Sequence, residues 1–203
     1  MLFRSYSDTV NVTTYVPPTA SFTYSAAGQL LSFVDGSSNT IGWSWDFGDG
    51  NTSTQQNPTN TYATGLSQTV TLVVTNGLCN DTSVQIVCVP YTSMSPVGPI
   101  NFCEGNSVIL TAGNGTIWNW STGDTTQSIT VDTTGNYSVS VSDANCGPYT
   151  SNTTAVTVHP YPVAGFNSQV TDTTVAVTDG STNATSWQWN FGDGGSSTLQ
   201  NTS

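Results

Sequence analysis

One aromatic octapeptide occurs twice in this chain. Residues 43–50 read WSWDFGDG, and residues 187–194 read WQWNFGDG, 144 positions later. Successive side chains of a β-strand point to opposite faces, so Trp43, Trp45 and Phe47 share one face. A row of rings this large predicts the centre of a small sandwich. The Gly-Asp-Gly that follows predicts the turn that ends the strand.

A looser third version, WNWSTGD at 118–124, completes the set, so all six tryptophans lie in W-x-W pairs. Farther along, GNYSVSV at 135–141 alternates apolar and polar residues, and its tyrosine resembles the tyrosine corner of immunoglobulin-like sandwiches. Burial is the expected use of these rings, and a surface row that stacks against sugars is the alternative. The predicted core residues are Trp43, Trp45, Phe47, Trp118, Trp120, Tyr137, Trp187, Trp189 and Phe191.

The offset of 144 residues extends beyond the octapeptide and divides the chain into modules. Pro18 falls on Pro162, and Val12-Thr13 falls on Val156-Thr157. Repetition at a fixed period is typical of an array of domains. We expect residues 1–16 to be the last strand of a preceding domain, 17–90 and 91–160 to be complete sandwiches, and 161–203 to be the first half of a truncated third.

Within these modules the apolar residues alternate with a period of two, and no helical periodicity appears in 17–90. Proline-marked linkers join the modules, so we expect an all-β chain of tandem sandwiches arranged end to end. The predicted strands cover about 20–25, 29–34, 41–47, 68–75, 83–89, 107–112, 116–121, 127–131, 135–142 and 153–158.

Charge and composition exclude several classes of function. Twelve acidic residues face one arginine and no lysine, and the net charge of −11 would repel nucleic acid and anionic membranes. No apolar run reaches the roughly 20 residues that cross a bilayer. With a single histidine, the chain has little from which to assemble a nucleophile, base and orienting group. We therefore predict a protein that is not an enzyme.

The four cysteines, at 79, 88, 103 and 146, indicate the redox compartment in which the protein works. None forms a C-x-x-C pair, which argues against zinc. We predict Cys79–Cys88 and Cys103–Cys146, because each bridge then stays within one domain. Bridges of this kind form in an oxidising compartment, so we expect an extracellular protein.

WDFGDG, followed by Asn57-Pro58, Tyr62, Gly65 and TVTLVVTN, resembles the PKD domain over about 17–90, with half of a second copy at 161–203. FCEGNSVILTA and the segment from WNWSTGD to DANCG resemble the Ig-like repeats of large secreted surface proteins and adhesins of Bacteroidota. The resemblance implies a PKD-like, Ig-like, PKD-like order and a role in cell-surface display, adhesion or stalk formation.

Two kinds of side-chain site remain. Asp35, Asp46 and Asp49 bond backbone amides in turns in our interpretation, and calcium binding is the alternative; no other cofactor is expected. Four Asp-Thr-x triplets resemble the O-glycosylation sequon that Bacteroidota use on exported proteins. Their threonines are Thr9, Thr125, Thr133 and Thr173.

The sequence thus predicts a non-enzymatic extracellular segment that spaces and presents a distal domain and takes part in adhesion. Its expected partners are neighbouring modules of the same chain, and surface glycans or other cells. Two alternatives stay open: a carbohydrate-binding accessory region of a secreted hydrolase, and a filament or sheath subunit assembled by strand addition.

Overall fold

The computed structural model describes residues 14–202, and every regular element in this range is a β-strand. The all-β prediction is therefore confirmed. The chain forms two compact units. Of the described residues, one unit contains 14–95, 112–127 and 138–152, and the other contains 96–111, 128–137 and 153–202. The boundaries predicted from the repeat stay predictions, and most of the segment assigned to a preceding domain lies outside the described residues.

The N-terminal part of the first unit is a sandwich of two antiparallel sheets. One sheet has the order β1-β2-β5 and the other has the order β4-β3-β6-β7. Its strands are β1 (Phe22–Ala27), β2 (Leu30–Asp35), β3 (Gly42–Asp46), β4 (Thr52–Ser53), β5 (Thr59–Thr61), β6 (Leu66–Thr75) and β7 (Asn80–Val89).

Aromatic side chains fill the space between these two sheets. Trp45 is 1% exposed, and its ring centroid lies 5.2 Å from that of Phe22 and 5.6 Å from that of Phe33. From the same sheet as Trp45, β6 contributes Val70, Leu72 and Val74, which alternate with Thr69, Thr71 and Val73 as the period-two pattern predicts. Burial of large aromatic rings is the main source of stability in a core this small.

The hairpin between β6 and β7 begins at the Asn76-Gly77 pair. Asn76 Oδ1 accepts hydrogen bonds from the backbone N–H groups of Leu78 (3.0 Å) and Cys79 (2.8 Å). Gly77 has φ of +88°, in the left-handed region that favours glycine. The side chain of Asn76 thus replaces backbone partners in the turn and fixes the register of the two longest strands.

The middle of the chain contributes strands to both units. They are β8 (Met94–Ser95), β9 (Ile100–Cys103), β10 (Val108–Ala112), β11 (Ile117–Trp120), β12 (Ser128–Val131), β13 (Gly135–Tyr137), β14 (Val139–Ser142), β15 (Tyr149–Thr150) and β16 (Thr154–His159). In the first unit β11, β14 and β15 form one sheet, which buries Trp120, Val139 and Val141. In the second unit β13, β16 and β9 form a sheet, and β10 pairs with β12.

The strand predicted over 135–142 divides at Ser138. Its first part, β13, pairs with β16, whereas its second part, β14, pairs with β11. Ser138 itself exchanges hydrogen bonds with Ser121: its carbonyl accepts from the Ser121 N–H at 2.9 Å, and its N–H donates to the Ser121 Oγ at 3.2 Å. Alternation of side chains continues across the break, so the sequence pattern does not reveal it.

The C-terminal residues of the second unit repeat the beginning of the first sandwich. They form β17 (Phe166–Thr171), β18 (Thr174–Asp179), β19 (Trp189–Asn190) and β20 (Ser196–Ser197). The rings of Phe166 and Trp189 meet edge to face at 5.5 Å, as those of Phe22 and Trp45 do at 5.2 Å. The described residues contain no equivalent of β6 and β7 in this module.

We predict that Trp45→Ala lowers the free energy of unfolding of the first sandwich by about 3–5 kcal/mol, because it empties a fully enclosed space and removes the indole hydrogen bond to the Gln55 carbonyl. Urea unfolding measures this change. Ile41→Ala serves as the control, since Ile41 is 73% exposed and should shift the midpoint little. Equal midpoints for the two variants would refute the core assignment.

Candidate functional site

Asp35, at the end of β2, connects three parts of the first sandwich. Its Oδ1 accepts from the Ser37 N–H at 2.9 Å, and its Oδ2 accepts from Trp43 Nε1 at 2.8 Å and from Gln56 Nε2 at 3.0 Å. Burial opposes ionisation, but the hydrogen bonds from Ser37, Gln56 and Trp43 outweigh it and lower the pKa of Asp35. The carboxylate is therefore engaged in structure.

Asp49 has a comparable role in the turn after β3. Its Oδ1 accepts from the Asn51 N–H at 3.0 Å, and its Oδ2 accepts from Asn60 Nδ2 at 2.7 Å and from Asn51 Nδ2 at 3.0 Å. Here too burial is outweighed by hydrogen bonds, from Asn60 and Asn51, so the pKa of Asp49 is lowered. In the same region the buried Tyr62 donates to the Phe47 carbonyl at 3.1 Å, and burial raises its pKa to about 12.

Asp46 closes the Gly-containing turn: its Oδ1 accepts from the Gly48 N–H at 2.9 Å. At the equivalent place in the C-terminal module, Asn190 Oδ1 accepts from the Gly192 N–H at 3.0 Å. An amide oxygen thus makes the same bond as a carboxylate oxygen. The turn requires an acceptor at this position and does not require a charge.

The other turn bonds repeat with the same offset. Asp179 Oδ1 accepts from Ser181, and Asp193 Oδ1 accepts from Gly195, as Asp35 and Asp49 accept in the first module. Trp189 Nε1 donates to the Leu199 carbonyl at 2.7 Å, matching Trp45 and Gln55 at 2.8 Å. In residues 14–202 no three His, Cys, Asp or Glu side chains converge as metal ligands. Calcium at Asp35, Asp46 and Asp49 therefore gains no support from their arrangement.

The cysteines differ from the prediction. Cys88, near the end of β7, is bonded to Cys146, in the loop after β14, with a Cα–Cα distance of 5.5 Å. The predicted pairs Cys79–Cys88 and Cys103–Cys146 are both wrong. Cys79 and Cys88 lie at opposite ends of an extended strand of ten residues, about 30 Å apart at 3.3 Å per residue, and a disulfide spans less than 7 Å between Cα atoms. Cys79 is an exposed free thiol and Cys103 a half-buried one.

Asp143 reinforces the disulfide with four hydrogen bonds. Its Oδ2 accepts from the N–H (2.9 Å) and the Oγ (2.7 Å) of Ser67, at the start of β6. Its Oδ1 accepts from the N–H groups of Asn145 and Cys146, both at 2.8 Å. We call Ser67, Cys88, Asp143 and Cys146 the junction clamp. It ties the paired strands β6 and β7 to the loop that follows β14.

The electrostatics of the clamp follow from these contacts. Burial opposes ionisation of Asp143, but the hydrogen bonds from Ser67, Asn145 and Cys146 outweigh it and lower its pKa to about 2. Leu66, next to Ser67, is buried and has φ of +74°, a left-handed conformation that is rare for a bulky residue. Strained backbone of this kind persists only where surrounding contacts hold it.

The remaining predicted residues are distributed as follows. Trp45, Phe47, Trp120 and Tyr137 are buried, whereas Trp43, Trp118, Trp187 and Trp189 are half-buried and Phe191 is 43% exposed. Tyr137 Oη donates to the Thr133 carbonyl at 3.0 Å, the bond of a tyrosine corner.

Of the threonines predicted to carry O-glycans, Thr125, Thr133 and Thr173 are exposed, but the Thr133 hydroxyl is hydrogen-bonded to Tyr137. Thr9 lies outside the described residues.

The family model of the PKD domain matches residues 7–89. These residues belong to the PKD domain family. Further β-strands follow this PKD domain along the chain, in both compact units. The PKD domain is a non-catalytic module, and together with the disulfide it indicates an extracellular protein. No helix within residues 14–202 has the length and apolarity needed to cross a membrane.

Solved structures similar to the PKD domain come from two vibrios. The PKD1 domain from Vibrio cholerae metalloprotease PrtV is 35% identical, over 36% of this chain and 98% of its own, with a TM-score of 0.35. The PKD1 domain of Vibrio anguillarum Epp is 26% identical, over 36% and 94%, with a TM-score of 0.35. The three N-terminal domains of the bacteriophage RB49 outer capsid protein Hoc are 14% identical, over 91% and 80%, with a TM-score of 0.34. None of the curated proteins compared with the chain matches it.

We predict that Asp46→Asn leaves the stability of the PKD domain within about 0.5 kcal/mol of the parent, since the amide oxygen of Asn190 makes the same bond. Asp46→Ala removes the acceptor and should cost about 1 kcal/mol. Chemical denaturation of the three proteins measures the difference. Equal losses in both variants would show that the charge matters.

The clamp also predicts a dependence on pH. The pKa of Asp143 is lower in the folded protein than in the unfolded chain, so its contribution is complete above about pH 4 and is lost as the pH falls through about 2. Thermal melting at successive pH values should show the parent losing its advantage over Asp143→Asn in this interval. A constant difference between the two proteins would contradict the assignment.

Proposed function

We propose that this chain is a non-enzymatic extracellular spacer of a cell-surface adhesin or stalk, in which successive β-sandwich modules hold a distal domain away from a surface. The observation that carries the proposal is the junction clamp. A spacer must keep its length under load, and the weakest points of a tandem array are the connections between its modules. The clamp joins the PKD domain to a loop of the segment that follows it.

The covalent part of the clamp limits how far the chain can extend. Cys88 and Cys146 are 58 residues apart in sequence, and an extended chain spans at most about 3.3–3.6 Å per residue. The bridge therefore withholds about 200 Å of chain from a pulling force. In the chain-entropy description, a loop of this size also disfavours the unfolded state by about 4 kcal/mol.

Under a pulling force, the hydrogen bonds of the clamp bear load before the Cys88–Cys146 disulfide does. Asp143 accepts from both the N–H and the hydroxyl of Ser67, so its carboxylate fixes the start of β6 with two short bonds. Hydrogen bonds to an ionised group are about twice as strong as neutral ones. The loop carrying Cys146 is consequently held both by the disulfide and by the hydrogen bonds of Asp143.

Pulling on the two ends of the chain in a single-molecule experiment tests the spacer proposal. Reduction of the disulfide should lengthen the fully unfolded chain by about 200 Å. Cys88→Ser should have the same effect without reductant. Cys79→Ser is the matched control and should leave the length unchanged, because Cys79 is a free thiol. Equal lengths for oxidised and reduced parent protein would overturn the proposal.

Carbohydrate binding is the second candidate, and one observation favours it. Trp187 and Trp189 are only half-buried, and Phe191 beside them is 43% exposed. Binding to an array of immobilised glycans, lost in Trp187→Ala and retained in Trp43→Ala, would favour this accessory role. The spacer proposal expects no glycan binding by either tryptophan.

O-glycosylation of exposed threonines is a further part of the proposal. Thr125 and Thr173 are the sites we expect to carry O-glycans, since both are exposed and neither makes the hydroxyl contact that Thr133 makes with Tyr137. Mass mapping of the protein from its own host would show a glycan on these threonines. Unmodified peptides at both positions would contradict this part of the proposal.

A further inference from the structure

The chain contains two Asn-Gly pairs, Asn76-Gly77 and Asn114-Gly115. In such a pair the backbone nitrogen of the glycine can attack the side-chain amide of the asparagine, because glycine has no Cβ to hinder the approach. The reaction requires that both the amide and the glycine N–H are free to move toward each other. The two pairs differ in this respect.

Asn76 is held by hydrogen bonds on both sides of its amide. Its Oδ1 accepts from two backbone N–H groups of the hairpin, and its Nδ2 donates to the Val16 carbonyl at 3.0 Å. The N–H of Gly77 donates to Thr75 Oγ1 at 3.0 Å. These bonds must break before the nitrogen of Gly77 can reach the amide carbon of Asn76, so the folded hairpin protects this pair.

Asn114 has no such protection. It is exposed, in the loop between β10 and β11. Within residues 14–202, its side-chain amide makes no hydrogen bond, and the N–H of Gly115 makes none either. Both reacting groups of this pair are therefore available in the folded protein, and solvent reaches them.

We propose that Asn114 is a site of spontaneous modification, at which the folded chain converts an asparagine to aspartate or isoaspartate. The backbone nitrogen of Gly115 bonds to Cγ of Asn114 and loses its proton to solvent, while the Cγ–Nδ2 bond breaks and ammonia leaves. Water then opens the cyclic imide. Cleavage of the bond between Cγ and the nitrogen gives aspartate, and cleavage at the main-chain carbonyl gives isoaspartate. The chain has no lysine, so no lysine amine competes with water for the ring.

The loop around Asn114 has little room for the products. Both products add a negative charge, and isoaspartate also lengthens the main chain by a methylene group. The backbone is anchored on either side of the pair: the Gly113 N–H donates to the Ser93 carbonyl at 2.8 Å, and the Thr116 N–H donates to the Ser142 carbonyl at 3.0 Å. A longer main chain between these anchors must strain or break one of them.

The same loop packs against the strand that leads into the junction clamp. A Cβ on Gly115 would overlap Cγ1 of Val141, a fully buried residue of β14. Two residues farther along is Asp143, whose carboxylate binds Ser67. We therefore expect modification at Asn114 to loosen the packing beside the clamp as the protein ages. This inference does not depend on the spacer function.

Peptide mass analysis of the full chain, incubated in mildly alkaline buffer, tests the proposal. In the folded protein, conversion at Asn114 should be at least about tenfold faster than at Asn76, because the hydrogen bonds at Asn76 raise its barrier. The matched control is the same chain unfolded in urea with its disulfide reduced. There the two pairs should convert at similar rates, since the bonds that protect Asn76 are lost.

A second measurement tests the effect on the junction. Anion exchange separates the modified fraction by its added charge, and this fraction should melt at a lower temperature than the unmodified one. Asn114→Gln removes the reactive asparagine, and the same incubation should then yield no such fraction.

Two results would overturn the proposal. The first is conversion at Asn114 that is no faster than at Asn76 in the folded protein, which would show that the loop holds the pair away from the reactive geometry. The second is an equal melting temperature for the modified and unmodified fractions, which would show that the junction tolerates the longer main chain.

Discussion

The packing of Trp45 between two sheets is the interaction on which the PKD domain depends. Its ring contacts Phe22 and Phe33 from the facing sheet, and its indole nitrogen bonds the Gln55 carbonyl. One side chain thereby joins strands β1, β2 and β3 and the loop after β4. In a domain of this size, few other side chains bury comparable area, and the turn aspartates serve mainly to hold the strands that present the rings.

The chain contains this arrangement twice. The two copies share their turn hydrogen bonds but differ in the burial of their aromatic rings. The bonds made by Asp35, Asp46 and Asp49 recur at Asp179, Asn190 and Asp193, where β6 and β7 have no equivalents among the described residues. Each of these recurring bonds joins residues two positions apart in sequence. Burial differs between the two copies, since Trp45 and Phe22 are buried whereas Trp189 is half-buried and Phe166 is 62% exposed.

Much of the fold could be predicted from the sequence because apolar and polar residues alternate along the longer strands. The pattern of Val70, Leu72 and Val74 located β6, and the Asn76-Gly77 pair located its hairpin. Strands of two residues, such as Thr52–Ser53 and Tyr149–Thr150, are too short to show any period. The break at Ser138 is hidden for another reason: whether a strand continues or changes partner depends on residues distant in sequence, here Ser121 and Thr154.

The sequence could have excluded one of the predicted disulfides, but it could not have predicted the junction clamp itself. The extended strand Asn80–Val89 excludes pairing of Cys79 with Cys88, since it holds the two residues too far apart for a disulfide. The choice of Cys146 for Cys88 requires the tertiary structure, as does the contact between Ser67 and Asp143, 76 residues apart.

Digestion under non-reducing conditions followed by mass analysis of the linked peptides tests the clamp most directly. We expect a peptide containing Cys88 linked to one containing Cys146, with Cys79 and Cys103 alkylated as free thiols. Linkage of Cys88 to Cys79, or of Cys146 to Cys103, would contradict the account.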